Sequence, residues 1–320
     1  MIENQIGSKK RRKILNKYFF ITVIITLVII WGAPFAWRGL VQPPSNLGES
    51  RRPDFFTFLV FGYDIYLNTD TIMVAAYDVA AQQVSLLSIA RDMRVNVNGS
   101  PRRINYLYPE EVLYGSGHAA GVELLKQGVQ SIIGFRPDFY IGLNEDVFAT
   151  LVDVVGGVYI DVPFRMHYND PYQDLYIDLQ EGRQRLNGIN ALHFVKFRYH
   201  YDRAAAITTH QRIAHQHQFL SAVMQELTVI TPMMIVRSPR LAVAYFRHIN
   251  TDINMRHLFW FGEQFMHGNI EIVTHNYPVT GVRPPPWYEV PNARDALTII
   301  NRTINPFTHN ITMDMLQLVP

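Results

Sequence analysis

FFTFLVFGY, from Phe55 to Tyr63, is an almost uninterrupted apolar run of strand length. Runs of this kind are typical of a central strand that is covered on both faces. Two further runs, Thr71 to Tyr77 and Val84 to Ile89, follow it. Strand-length runs then alternate with segments of helical spacing, which predicts an α/β fold with a mixed central sheet and helices on both faces.

Helical segments are recognised by apolar residues three or four positions apart, as at Leu125, Val129 and Ile132. Asn144 stands where it can cap the next helix, and a glycine pair at 156–157 stands where that helix would end. The predicted helices are His118–Ile133, Glu145–Val155, Leu186–Phe197, Thr209–Leu227, Met255–Met266 and Ala293–Ile304, and the further strands are Asp138–Leu143, Val158–Val162 and Ile270–His275.

The composition of the 320-residue chain, with 48% apolar residues, is that of a folded protein with a sizeable core. It has no cysteine, which excludes disulfides, thiolate metal sites and a cysteine nucleophile. The first seventeen residues hold six lysines and arginines against Glu3 alone. Removing these from the totals of 29 basic and 27 acidic residues leaves 23 and 26, so the remainder is mildly acidic and no nucleic-acid partner is expected.

The segment from Tyr18 to Trp37 contains no charge and, at about 1.5 Å per residue, is long enough to cross a hydrocarbon core of about 30 Å. We predict a single transmembrane anchor at residues 18–37. The positive-inside rule leaves the basic tail, residues 1–17, in the cytoplasm and the rest of the chain outside. A cleaved signal peptide is the alternative, but the apolar run exceeds the usual signal-peptide core of about 7–15 residues, and Ala33 to Ala36 is a poor cleavage site.

The remainder of the chain is expected to have three parts. Residues 38–53, with Pro43, Pro44 and Gly48 among polar side chains, are predicted to be an extended linker. A first globular region begins near Asp54 and extends to residue 227. The last part, residues 228–320, is predicted to be an α/β extension that is either a second small domain or the flank of the first.

Charged residues collect where predicted strands end, which is where ligands bind in open α/β sheets. Asp64 follows the first strand, Asp70 precedes the second, and Arg91 with Asp92 follows the third. Two carboxylates on one short loop suit Mg²⁺, and the planar fork of an arginine suits phosphate. The alternative is that the aspartates cap their loop and that the Arg91–Asp92 pair is an exposed turn.

Other basic residues also allow two interpretations. Arg103 belongs either to a ligand site or to a solvated loop, and Lys196 with Arg198 either binds an anion or complements the dipole of the helix before it. Arg212 and Gln216, four residues apart, share one helical face that binds either an anion or nothing.

Seven segments, in order and spacing, resemble the LytR-CpsA-Psr family of bacterial cell-envelope proteins. They cover roughly residues 54–227, the segment that we therefore expect to be the catalytic domain. The matching segments are LVFGYD (59–64), TDTIMVAAYD (69–78), VSLLSIARDMRV (84–95), RIN (103–105), LVDVVGGVYIDVP (151–163), LNGINALHFVKFR (186–198) and QRIAHQHQFL (211–220). A single-pass anchor with the domain outside the membrane is also the layout of the family.

The resemblance implies a membrane-anchored transferase that moves a glycopolymer, such as wall teichoic acid or capsular polysaccharide, from a polyprenyl-pyrophosphate carrier to peptidoglycan through a phosphodiester link. By similarity, Asp64 and Asp70 would hold Mg²⁺ or Mn²⁺. The residues implied to bind the pyrophosphate are Arg91, Arg103, Lys196, Arg198, Arg212 and Gln216. The implied catalytic residues are Arg91, Asp92 and Arg198, with Asp92 acting either as a general base or as a brace that orients Arg91.

Two other functions suit the same residues. A polyprenyl-pyrophosphate hydrolase would use water in place of the sugar hydroxyl, and a non-catalytic envelope regulator would bind the lipid carrier without turnover. The second alternative draws on departures from the family pattern, in which several fixed charges are missing. The departures are Asn68, Lys196 and His215 in place of arginines, Thr209 in place of an aspartate, and Ala90 in place of a proline.

Overall fold

The computed structural model describes residues 43–44, 48, 50–172, 175–197, 211, 214–215, 217–219, 221–223, 226, 249–266, 270–283 and 288–318. The predicted anchor at 18–37 lies outside these residues, as do Arg198, Thr209, Arg212 and Gln216. Within the described ranges, no helix has both the length and the apolar character needed to cross a membrane.

A six-stranded mixed sheet forms the centre of the fold. Its strands are β1 (Phe55–Tyr63), β2 (Thr69–Asp78), β3 (Gln83–Ile89), β6 (Phe139–Asn144), β11 (Asn250–Thr251) and β12 (Glu271–Asn276). The order across the sheet is β11-β6-β1-β2-β3-β12. The β1-β2, β2-β3 and β6-β11 pairs are antiparallel, whereas β1-β6 and β3-β12 are parallel. The predicted mixed α/β architecture is confirmed.

Four two-stranded sheets accompany the central one. Three are hairpins of consecutive strands, and the fourth joins β7 to β10. Their strands are β4 (Arg94–Val97), β5 (Ser100–Arg103), β7 (Val158–Val162), β8 (Met166–Asp170), β9 (Leu175–Leu179), β10 (Gly182–Leu186), β13 (Val279–Arg283) and β14 (Tyr288–Pro291). The sequence predicts only β7 among these, because most of the others are short and polar.

The helices follow the predicted apolar periodicity closely. They are α1 (Leu107–Tyr114), α2 (His118–Ile133), α3 (Glu145–Val154), α4 (Gly188–Lys196), α5 (Met255–Met266) and α6 (Ala293–Thr303). The described residues between 211 and 226 are helical as well. Asn144 caps α3 as predicted, since its side chain accepts a hydrogen bond from the Val147 N–H at 2.8 Å. Only α1 is absent from the prediction.

The main hydrophobic core lies on one face of the central sheet. Leu59, Val74 and Leu87, one from each central strand, are fully buried there. They belong to the same apolar cluster as Leu125 of α2 and Ile300 of α6. Truncating a buried leucine or isoleucine to alanine typically lowers the free energy of unfolding by about 2–5 kcal/mol. This layer therefore contributes much of the stability that holds the strand ends in place.

The opposite face of the central sheet is also contacted by helical residues. Tyr77, which points away from the main core, contacts Phe265 of α5 in a tilted ring pair with centroids 4.6 Å apart. Ser88 on β3 lies within 2.6 Å of the His217 ring. A second apolar cluster, centred on Phe194 of α4 and Ile177 of β9, lies in the segment from 152 to 223.

The start of β1 is fastened to the C-terminal segment. Arg51 forms an isolated antiparallel bridge with Phe307, and the Arg52 N–H donates to the Pro306 carbonyl at 2.8 Å. The Arg51 guanidinium also pairs with Asp138, and both side chains are almost completely buried. We call this group, Arg51, Arg52, Asp138, Pro306 and Phe307, the terminal clamp.

The chain divides into two compact units. The first comprises residues 1–45 with Asn254–Gly262, so its described part is mainly the first two turns of α5. The second comprises Asn46–Ile253 with Glu263–Pro320 and contains every strand named above. Residues beyond 227 contribute β11, β12, β14 and α6 to this second unit.

Candidate functional site

Four charged side chains form a continuous line at the ends of β2 and β3. Arg91 Nη1 donates to Asp70 Oδ1 at 2.7 Å, and its Nε lies 3.6 Å from Asp92 Oδ2. The other oxygen of Asp92 lies 3.5 Å from Arg103 Nε. Each of the four side chains remains between about one fifth and two fifths exposed. We call Asp70, Arg91, Asp92 and Arg103 the charged line.

Backbone hydrogen bonds hold the charged line to the sheet. The Met93 N–H donates to the Ala90 carbonyl at 3.0 Å, which closes a tight turn around Arg91 and Asp92. The Asn105 N–H then donates to the Arg91 carbonyl at 3.2 Å, and the buried Thr69 hydroxyl donates to the Asn105 carbonyl at 2.9 Å. The three family motifs that contain Thr69, Arg91 and Asn105 are thus joined by direct hydrogen bonds.

The electrostatics of the charged line keep Arg91 protonated. Burial by itself would lower the pKa of the Arg91 guanidinium, but the hydrogen bond and the charge of Asp70, with the charge of Asp92, outweigh this and raise the pKa. Arg91 therefore presents a fixed positive charge, already oriented by two carboxylates, on a partly exposed surface. Such a charge is suited to an anionic ligand.

Asp64, the first predicted metal ligand, caps its own loop. Its Oδ1 accepts hydrogen bonds from the Tyr66 and Asn68 N–H groups, both at 2.9 Å, and its Oδ2 accepts one from the Asn68 side chain at 3.0 Å. Asn68, which replaces a family arginine, thus has a structural role here. The loop-cap interpretation of Asp64 is confirmed, and Asp70 pairs with Arg91.

The donor set at this end of the β1-β2 hairpin still fits a hard divalent cation. Asp64 and Asp70 flank one short loop, and a carboxylate that accepts two or three hydrogen bonds retains lone pairs for a metal. Mg²⁺ is usually held by one or two carboxylates while substrate phosphates and water complete its shell. Within the described part of the chain there is no group of three or more His, Cys, Asp or Glu that would form a cage without substrate.

The C-terminal hairpin β13-β14 borders the charged line, a contact that the sequence interpretation missed. The Glu289 N–H donates to the Asp92 carbonyl at 2.9 Å, and Glu289 forms an isolated parallel β-bridge with Met93. The guanidinium carbon of Arg103 lies 5.4 Å from the centre of the Tyr106 ring and 6.0 Å from that of Tyr288. Tyr288 and Glu289, some two hundred positions from Asp92 in the sequence, therefore form one wall of the site. The spacing of the sequence motifs does not predict this contact.

Lys196, a predicted pyrophosphate ligand, lies in a different contact. Its ammonium donates to Glu145 Oε1 on α3 at 2.6 Å. The structure therefore joins Lys196 to the neighbouring helix and gives it no contact with the charged line. Arg198, Arg212 and Gln216, the remaining predicted ligands, lie outside the described residues.

His217 contacts the strand that leads to Arg91. Its Nε2 lies 2.6 Å from the hydroxyl of Ser88 on β3, three residues before Arg91. Burial, and to a smaller degree the neighbouring charge of His275, lowers the pKa of His217, so the ring is neutral near pH 7. His217 thus lies against the second face of the central sheet at Ser88.

His215, which replaces a family arginine, belongs to the second apolar cluster. Its ring centroid lies 4.9 Å from that of Phe194 and 6.1 Å from that of Phe164, and the side chain is 6% exposed. Two helical positions separate it from His217 by about 200°, so the two side chains leave the helix on opposite sides. In this chain, position 215 contributes to packing.

We expect the buried His215 to make the protein sensitive to mild acid. Burial lowers the pKa of His215 from its ordinary value of 6.5. Below about that pH the unfolded chain binds a proton that the folded chain does not, so the free energy of unfolding decreases as the pH falls. Chemical denaturation between pH 7.5 and 5 measures the slope. His215→Leu should flatten it, and an unchanged slope in that variant would contradict the assignment.

We expect Asp92 to act as the brace of the two arginines. Its two oxygens lie 3.6 and 3.5 Å from the guanidinium groups of Arg91 and Arg103, so the side chain is placed to orient both arginines. Asp92→Asn keeps the shape and removes the charge, so it should lower the rate of a reaction at this site about tenfold or less and leave the shape of the pH–rate profile unchanged, because a general base contributes about 10²–10⁴-fold. Loss of the acidic limb of that profile, together with a fall of a thousandfold, would identify Asp92 as the base instead.

A model described as the LytR_cpsA_psr family matches residues 42–303 of the chain. Regulatory protein MsrR of Staphylococcus aureus (strain COL) is 24% identical over 215 residues, which cover 66% of this chain and 59% of MsrR. The "Probable cell wall biosynthesis protein LcpB" of Corynebacterium glutamicum is 34% identical over 160 residues, which cover 50% of this chain and 34% of LcpB. The chain thus spans between about one third and three fifths of the lengths of these relatives.

Solved structures share the fold. The crystal structure of B. subtilis TagV superposes with a TM-score of 0.62 at 20% identity and covers 84% of this chain and 100% of the TagV chain. TagT bound to LI-WTA superposes with a TM-score of 0.60 at 17% identity and covers 80% of this chain and 92% of that one. At these identities the likeness concerns the fold.

Proposed function

Because this chain belongs to the LytR-CpsA-Psr family, we propose that it is a phosphotransferase that moves a glycopolymer from a polyprenyl-pyrophosphate carrier to peptidoglycan through a phosphodiester link. The observation that carries the proposal is the charged line, in which Arg91 is held by Asp70 and Asp92 at the carboxyl end of β3. The fold shared with TagT, whose solved structure is of TagT bound to LI-WTA, supports the choice of a wall-polymer substrate.

The charged line suits phosphoryl transfer because this chemistry depends mainly on positioning and charge stabilisation. Arg91 would donate paired hydrogen bonds to the pyrophosphate oxygens, and its orientation by two carboxylates reduces the reorganisation needed on binding. Arg198, Arg212 and Gln216 are proposed to complete the phosphate site, as the family resemblance implies. Lys196 is proposed to act there only if it leaves Glu145.

In the proposed reaction an acceptor sugar hydroxyl attacks the phosphorus that carries the polymer. A new P–O bond forms to the acceptor, the bond to the bridging oxygen breaks, and polyprenyl phosphate leaves with its negative charge facing Arg91. In a loose transition state the hydroxyl proton is transferred late and passes to an oxygen of the departing polyprenyl phosphate, so a strong base is not required, in agreement with the role of Asp92 as a brace. Asp64 and Asp70 would hold Mg²⁺ or Mn²⁺, which would supply further neutralisation of the phosphate charge.

The second face of the central sheet is proposed to accommodate the prenyl chain. Met73, Ala75 and Leu86 point to this face, away from the main core, and are nevertheless buried. The family resemblance implies an apolar tunnel for the lipid, and an apolar sheet face beside the charged line would place the lipid and its pyrophosphate in continuity. The anchor at residues 18–37 is proposed to keep the domain outside the membrane that carries this lipid.

Full-length protein in detergent micelles, supplied with a polyprenyl-pyrophosphate glycan and Mg²⁺, tests the proposal. The expected result is a covalent glycan–peptidoglycan product that forms only when peptidoglycan is present, with release of polyprenyl phosphate. Release without an acceptor would identify a hydrolase, and binding of the carrier without release would identify a regulator; either result overturns the transferase assignment. Repeating the assay with EDTA and then with added Mg²⁺ or Mn²⁺ tests the cofactor separately.

A further inference from the structure

Two tyrosines flank Arg103 at the end of the charged line. The Arg103 guanidinium carbon lies 5.4 Å from the Tyr106 ring centre and 6.0 Å from the Tyr288 ring centre, and the side chain itself is 21% exposed. Tyr106 is 49% exposed, although tyrosine is a large and mostly apolar side chain. The three side chains form an aromatic–cationic strip that begins where Asp92 ends.

Backbone hydrogen bonds join the segments that carry both tyrosines to the charged line. Tyr106 ends a short 3₁₀ turn, Ile104–Tyr106, whose first N–H donates to the Met93 carbonyl at 3.0 Å. Tyr288 opens β14, whose next residue, Glu289, donates its N–H to the Asp92 carbonyl. The backbone segments that carry the two rings are therefore hydrogen-bonded to the turn that carries Arg91 and Asp92 and to the residue after it.

From these contacts we infer that Tyr106 and Tyr288 form a binding site for a pyranose ring next to the phosphate site. The C–H face of a sugar ring is apolar and slightly positive, so it packs on the negative face of an aromatic ring. The hydroxyl groups at its edge would find the Arg103 guanidinium as a donor. The inference rests on the proposed function, because the transfer requires a sugar ring directly beside the phosphate.

The ring in this site comes either from the donor, as the sugar linked to the pyrophosphate, or from the acceptor. Both share the same chemistry, so separate ligands distinguish them. The donor probe is farnesyl-pyrophosphoryl-N-acetylglucosamine, compared with farnesyl pyrophosphate, which lacks the sugar. The acceptor probe is chitotetraose in the presence of farnesyl pyrophosphate. Titration calorimetry on the full-length protein in micelles gives the dissociation constants.

We expect the sugar ring of one of the two probes to increase binding to the wild-type protein. For the donor probe, this means an affinity about three- to tenfold higher than that for farnesyl pyrophosphate alone. Tyr106→Ala and Tyr288→Ala should abolish that contribution and change the affinity for farnesyl pyrophosphate, which lacks the sugar, much less. Tyr106→Phe should retain it, because the ring face remains. Tyr114→Ala is the matched control, since Tyr114 is an 86% exposed tyrosine at the far end of α1.

The outcomes separate the inference from the proposed function. If farnesyl pyrophosphate binds normally but neither sugar probe depends on Tyr106 or Tyr288, the sugar site is wrong while the proposed function stands. If farnesyl pyrophosphate itself fails to bind, the phosphate site is wrong and the inference falls with it. A lower melting temperature in Tyr106→Ala, accompanied by full retention of the sugar contribution in Tyr288→Ala, would also overturn the paired role of the two rings.

Discussion

Replacing Arg91 by alanine is expected to lower the rate of glycopolymer transfer by about a hundred- to a thousandfold. Removing one preorganised donor from a charge-stabilising site typically has an effect of this size. Arg91 is the member of the charged line that both Asp70 and Asp92 orient, with a hydrogen bond of 2.7 Å to the first. The loss should appear in the rate at saturating carrier as well as in carrier affinity, since the negative charge on the pyrophosphate increases as the leaving group departs.

Arg91→Lys distinguishes a requirement for charge from a requirement for shape. Lysine keeps one positive charge but cannot make the paired, planar contacts of a guanidinium. We expect it to recover only part of the rate, within about tenfold of the alanine variant. The measurement is the initial rate of formation of the glycan–peptidoglycan product by full-length protein in micelles.

The control for Arg91 is Arg165→Ala. Arg165 is an exposed arginine paired with Asp178 on the β8-β9 hairpin, so it tests the general effect of removing a guanidinium from the surface. It should retain the wild-type rate. Arg91→Ala should unfold at about the wild-type temperature, because its partners remain partly solvated. A fully active Arg91→Ala protein would refute both the site and the proposed reaction.

Replacing Asp138 by alanine is expected to have the largest effect on stability, a loss of about 3–5 kcal/mol in the free energy of unfolding. The carboxylate pairs with Arg51, and its Oδ2 accepts hydrogen bonds from the Thr57 N–H at 2.8 Å and the Thr57 hydroxyl at 2.7 Å. Its removal leaves a buried guanidinium without this partner and a buried backbone donor without an acceptor.

Thermal denaturation monitored by circular dichroism measures this loss. For a domain of this size, about 1 kcal/mol lowers the melting temperature by about 2–4 °C, so we expect a decrease of about 6–20 °C. Glu123→Ala removes an exposed carboxylate that pairs with Arg136 and should change the free energy of unfolding by less than about 0.5 kcal/mol. Equal melting temperatures for the two variants would show that the terminal clamp contributes nothing to stability.

The sequence predicts the layered part of this fold well because long apolar periods dictate it. The predicted bounds of β1, α2, β7 and α5 agree with the structure residue by residue. In these segments, burial of one continuous face requires a regular spacing, which can be recognised without any knowledge of tertiary contacts. The short hairpins differ, because strands such as Ser100–Arg103 are exposed and polar and are defined by their partner strand.

The sequence predicts the residues of the candidate site only where those residues lie next to the end of a strand. Arg91 and Asp70 satisfy that rule and meet in the structure. Lys196 does not satisfy that rule. A lysine ammonium pairs with a nearby carboxylate, and here that carboxylate belongs to Glu145. Tyr288 could not be found from spacing at all, since it reaches the site through β14, a strand whose position depends on a backbone hydrogen bond to Asp92.

The terminal clamp also determines from where the domain can be tethered. It lies at the first residues of β1, whereas the charged line lies beyond the last ones, and nine strand residues span about 30 Å. With the chain anchored through residues 18–37, as we propose, the thirteen residues from 38 to 50 reach about 45 Å when fully extended. In that proposed arrangement the linker is longer than the strand, so the domain can lie flat on the lipid surface with the charged line touching it. A linker of half this length would keep the charged line away from the lipid surface.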